Sequence, residues 1–128
     1  MINENRKLSN LAEGIDHHVR FVGGTTDVTK VADTGQGITV AYIGTGVVEL
    51  TWLDNPGMFV DARPSFHATT PANVKGFRAV FGEFNASTLK LRVYLYEDAG
   101  DGTSALADLA ASEWCGVAVT FKRSGTGV

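Results

Sequence analysis

The stretch Thr88-Leu89-Lys90-Leu91-Arg92-Val93-Tyr94-Leu95-Tyr96 decides the fold class. Leu89, Leu91, Val93 and Leu95 take every second position, and Lys90, Arg92, Tyr94 and Tyr96 fill the positions between. Successive side chains of a strand point to opposite faces, so the segment reads as a strand with one buried face and one polar face. Val117, Val119 and Phe121 repeat the pattern with Thr120 and Lys122 opposite, and Phe77, Ala79 and Phe81 repeat it again. Strands of this kind form a sheet with one apolar face that must be covered, and a second sheet is the most economical cover.

Outward from that segment, short β-rich runs are separated by glycine. Val19-Arg20-Phe21-Val22 precedes Gly23-Gly24, and Ile38 to Ile43 is joined to Val47 to Trp52 by Gly44-Thr45-Gly46. Glycines at that joint can take the positive φ of a tight turn, which predicts an antiparallel hairpin. Further runs cover Val74 to Phe84, Leu89 to Glu97 and Trp114 to Lys122. Ala105 to Ala111 carries a helical signal: Ser104 is placed as a cap, and Leu106, Leu109 and Ala110 share one face. The expected architecture is an all-β, antiparallel β-sandwich of jelly-roll-like type. It has one short helix closing an end, an extended N-terminal arm at residues 1–17 and a single domain at residues 18–128.

Composition narrows the function class. A chain of 128 residues, 44% hydrophobic and 20% charged, suits one packed domain. A formal net charge of −3 offers no positive field to gather phosphates, which argues against nucleic acid as the principal partner. The N-terminal residues Met1 to Lys7 lack the apolar core of a signal peptide, and no apolar run reaches the length of a membrane span. Synthesis in a cytoplasm without a membrane partner is expected. The single cysteine, Cys115, has no lysine, arginine or histidine beside it in sequence and reads as a buried, inert thiol.

The chemistry-bearing residues do not assemble into a recognisable catalytic motif. His17 and His18 are adjacent, and neighbours in a strand face opposite ways, which opposes a shared metal. Glu97 to Gly102 is rich in Asp and Gly but lacks the spacing of a calcium loop. The glycine pairs at Gly35-Gln36-Gly37 and Gly44-Thr45-Gly46 are too short for phosphate loops. No enzyme activity, metal or cofactor is expected. Candidate contact residues fall in three places. Arg6, Lys7, Leu8 and Leu11 lie in the arm. Phe59, Arg63 and Phe66 lie in the proline-bearing stretch Asp54 to Asn73, which reads either as a long functional connection or as short edge strands, 58–60 and 65–67, whose aromatics fill the core. Tyr94 and Tyr96, beside Lys90 and Arg92, form a platform for sugar rings or a partner protein.

Ala68 to Gly76, Val80 to Asn85 and Leu106 to Ala110 before Trp114 carry a resemblance across roughly the second half of the chain. In these residues the chain resembles small virion proteins of tailed bacteriophages, of the capsid decoration or cement class. The resemblance implies a non-enzymatic structural protein on the outside of a phage head, made in the host cytoplasm, that stabilises contacts between shell subunits. Its implied partners are the major capsid protein and copies of itself, as a trimer or a capsid-symmetric array, with an N-terminal arm reaching a neighbour. A tail, neck or fibre component shares the same texture. A carbohydrate-binding β-sandwich using Tyr94 and Tyr96 is the reading from another class.

Overall fold

The computed structural model describes residues 14–24, 26–69, 76–98 and 102–122. Period-two alternation becomes nine strands: β1 (Ile15–Gly23), β2 (Val28–Lys30), β3 (Ile38–Gly44), β4 (Val47–Trp52), β5 (Met58–Ala68), β6 (Arg78–Phe81), β7 (Lys90–Asp98), β8 (Ser104–Leu106) and β9 (Glu113–Lys122). They form two antiparallel sheets. The first has the order β2-β1-β9-β5; the second has the order β3-β4-β7-β6, with β8 also paired to β7. Gly46, at φ +69°, makes the β3–β4 hairpin turn that its position between two apolar runs predicts.

The alternation reads through to burial. Leu91, Val93 and Leu95 of β7 are buried, as are Val48, Leu50 and Trp52 of β4 and Val117, Val119 and Phe121 of β9. Phe121, fully buried, is ringed by His17, Trp52, Phe59 and Phe84, with ring centroids 5.2–6.0 Å away. Burying a ring of that size stabilises by about 1.5–3 kcal/mol, and edge-on aromatic contacts add to it. Cys115 is buried in the same layer, and burial pushes its thiol up to about 12. The inert thiol expected from the sequence is what the core holds.

Two expectations are corrected. Of the two readings of Asp54 to Asn73 the edge strands hold, corrected in extent: Met58 to Ala68 is one strand along the outer edge of β9 where two short ones were expected. Phe59 stacks on Phe84 and Phe66 on Phe77, so both aromatics pack against the core. Proline cannot donate to a ladder, which an edge strand tolerates, and Pro64 sits on that edge; a register shift between Phe59 and Asp61 bends the strand further.

The short helix is the second correction, since no helix occurs among the described residues. Ser104 to Leu106 is instead strand β8 against Tyr96 to Asp98, and the backbone then runs across the end of the sandwich. Its polar groups are claimed individually. Ala107 N donates to Leu95 O, Ala110 N donates to the Glu113 carboxylate, and the Asp108 carboxylate accepts from Gly46 N and the Tyr42 hydroxyl. A side chain at Gly23 would overlap the Leu109 carbonyl, and one at Gly46 would crowd Ala107 N. Two helical turns cannot lie flat against two strands so closely, whereas a segment that is not helical can, and it plugs the core with Leu109.

The sides of the sandwich are also tied. Lys30 of β2 donates from Nζ to Gly35 O and Ile38 O at 3.1 and 3.0 Å, linking the edge of the first sheet to the start of β3 in the second. β1 begins at Ile15, opposite Phe121, so Ile15, Asp16 and His17, read as arm, belong to the sheet.

Candidate functional site

The outer face of the second sheet is organised by register into lateral rows. Thr39, Thr51 and Lys90 form one; Ala41, Glu49 and Arg92 form the next. Val47, Tyr94 and Val80 are direct neighbours across β4, β7 and β6, with Ile43 at the adjoining bulge of β3. Leu106, Tyr96 and Arg78 complete the face. Neighbours in such rows stand about 5 Å apart at Cβ, so the third row is a continuous apolar band. Ile43 and Val80 are each 44% exposed and Leu106 39%.

Two cations of this face share one carboxylate. Glu49 accepts from Lys90 Nζ at 3.2 Å and Arg92 Nε at 3.1 Å. Burial raises the Glu49 pKa, but the hydrogen bonds and charges of Arg92 and Lys90 outweigh it and hold the carboxylate below its ordinary range. The bond to Glu49, followed by one to Tyr94, pushes Arg92 up. Arg78 lies 4.8 Å from the Tyr96 ring centroid and donates to Ser104 Oγ. One face of Tyr96 is thereby taken by a guanidinium, which leaves Tyr94 as the open ring of the pair. Tyrosine, arginine and aliphatic groups together have the composition of a protein-contact surface.

The other residues singled out in the sequence disperse. Phe59 and Phe66 face the core. Phe59 also walls a cleft of about 450 Å³ with Asn55, Gly57, Met58, Phe84 and Ala86 at the opposite end of the sandwich. Arg63 is exposed on the outside of the first sheet, paired with Asp61 at 2.8 Å and with Asp16 at 3.8 Å. Arg6, Lys7, Leu8 and Leu11 lie outside the described residues. Ile43, Val47, Val80 and Leu106 were not among the contact residues expected from the sequence. The signal for Val80 was present: it occupies a polar slot in the alternation of Phe77, Ala79 and Phe81.

The adjacent histidines diverge as their spacing predicts. His17 turns inward, where its Nδ1 accepts from Trp52 Nε1 at 3.1 Å, and His18 turns outward. Burial lowers the His17 pKa, overcoming the opposite pull of Asp16. No cluster of histidine, cysteine and carboxylate groups suited to a metal ion occurs among the described residues. No family model, curated protein or solved structure matches the chain, so the reading of this site rests on its own geometry.

Proposed function

We propose that the chain is a non-enzymatic structural protein of a bacteriophage virion that binds the outside of the head and stabilises contacts between shell subunits. The observation that carries attachment to protein is the outward band of exposed Ile43 and Val80 with half-buried Val47 and Tyr94, and Leu106 and Tyr96 beside it. An apolar band with an ion-paired margin suits contact with a partner sheet or helix, and repetition over a symmetric shell turns weak contacts into firm attachment. The virion assignment rests on the resemblance in Ala68 to Gly76, Val80 to Asn85 and Leu106 to Ala110. Arg6, Lys7, Leu8 and Leu11 enter the reading as contacts of the N-terminal arm.

Mass spectrometry of density-purified particles tests the assignment through the ratio of this chain to the major shell protein. Head decoration requires a copy number equal to that of the shell protein or a simple large fraction of it. A few copies per particle would move the chain to the tail, neck or fibre, and its absence would sink the virion reading.

A further inference from the structure

The outside of the first sheet is built on a different principle from the Tyr94 face. Its central strand, β9, presents Gly116 and Ala118 outward, and these form a floor. His18 and Arg20 of β1 rise on one side, and Arg63 and Ser65 of β5 rise on the other, in the rows His18, Ala118, Arg63 and Arg20, Gly116, Ser65. The groove so formed has a volume of about 650 Å³ and extends to His67. Trp114, between Val22 and His67, stands in the next row on the same face of the sheet. Asp16, Thr120 and Asp61 form the row at the other end.

Hydrogen-bonding capacity in this groove is unevenly used. Arg63 is held by Asp61 and also donates to Thr120 Oγ1. The side chains of Arg20, His18, Ser65, His67 and Trp114 make no hydrogen bond or ion pair with any other described residue; the bonds of Arg20 to Thr34 and Val31 run through its backbone. A side chain at Gly116 would meet Ser65 Oγ at 2.7 Å and the Arg20 stem at 3.6 Å, so glycine there keeps the floor open between them. The groove thus concentrates a guanidinium, a hydroxyl and two imidazoles around a floor with almost no side chain, with an indole in the adjoining row.

Its dimensions and charge limit what can fill it. Three strands span about 10 Å, and two rows along a strand about 7 Å, which is the footprint of one sugar ring. The carboxylates of Asp16 and Asp61 oppose a polyanion continuing along β9, so a single negative charge at the Arg20 end is favoured. A planar guanidinium holds a carboxylate through paired hydrogen bonds, while serine and histidine suit hydroxyls and an indole suits the apolar face of a pyranose. We infer that the groove over Gly116 and Ala118 binds an acidic sugar of the uronic acid class, with its carboxylate on Arg20. This site lies on the opposite sheet from the Tyr94 band and does not depend on the virion assignment.

Titration of the full chain with glucuronate, glucose and inorganic sulfate, followed residue by residue through backbone amide NMR signals, tests it. Glucuronate is expected to shift Arg20, Ser65 and Gly116 saturably, with glucose and sulfate each binding at least about tenfold more weakly. Arg20→Gln, at an exposed position, should weaken glucuronate by about tenfold or more while the rest of the spectrum is retained. Glucose binding as tightly as glucuronate would overturn the role of the carboxylate, and sulfate doing so would reduce the site to one for bare anions. No shift at these amides, or an unaltered response in Arg20→Gln, would overturn the proposal.

Discussion

The two outer faces share one fold and differ in how their polar groups are engaged. On the second sheet Glu49 takes up Lys90 and Arg92, Arg78 lies on Tyr96, and what remains open is apolar. On the first sheet Arg63 alone is held by carboxylates among the described residues, and what remains open is a set of donors around Gly116 and Ala118. Both sets of strands bury the same kind of inward side chains. A sandwich core therefore specifies the layers without specifying what either exterior recognises; outward residues at fixed lateral register do that.

The largest predicted effect removes the shared support. Phe121→Ala should destabilise the protein by about 3–5 kcal/mol in denaturant unfolding and impair both faces together, because its ring packs between residues of both sheets. If one face kept its binding while the other lost it, the common-core account would break. Asp108→Ala comes next, at about 1–3 kcal/mol, since it leaves Gly46 N and the Tyr42 hydroxyl without their acceptor. Its effect should concentrate at the β3–β4 turn, which hydrogen exchange would report.

Val80→Glu sharpens the contrast between the faces. On an edge strand and 44% exposed, it should alter stability by less than about 1 kcal/mol. Occupancy on virus particles should fall by about tenfold or more, with glucuronate binding unchanged. Retained occupancy would remove the band from the attachment surface.

Acidification gives a smaller effect with a defined sign. The folded pKa of His17 lies below its ordinary value of 6.5, so just below that value the unfolded chain binds the extra proton and stability falls as pH drops. Glu49, lowered from 4.5, adds a second loss as pH falls through its folded pKa. Replacing His17→Gln, which keeps an acceptor for Trp52, should remove the first loss and leave the second in pH-dependent thermal melts. The smallest expected effect is at Cys115, where the buried thiol should resist alkylation at neutral pH until the protein unfolds.

Legibility followed the range of the interactions. The strict alternation of Leu91, Val93 and Leu95, or of Val117, Val119 and Phe121, is a local pattern, and those residues are the core. Ala105 to Ala111 has a local helical pattern too, but Gly23, Gly46 and Leu95 lie far away in sequence and their close approach decides its conformation. Phe59 and Phe66 were visible as large aromatics, whereas the single strand joining them required β9 as a template. Tyr94 and Tyr96 were legible as outward residues, but Val47, Val80 and Leu106 become their neighbours only through pairing.

By itself, the sequence determined an all-β chain, the β3–β4 hairpin, the inward residues of β7 and β9, and an inert cysteine, because each follows from side-chain alternation, turn chemistry or near neighbours. Tertiary structure alone decided that Arg20, Gly116 and Ser65 share a row, that Tyr94 lies between Val47 and Val80, and that residues 107–110 cross the end of the sandwich without forming a helix. The physical reason is register: period two assigns a residue to a face, but only the hydrogen-bonded pairing of distant strands assigns its neighbours on that face.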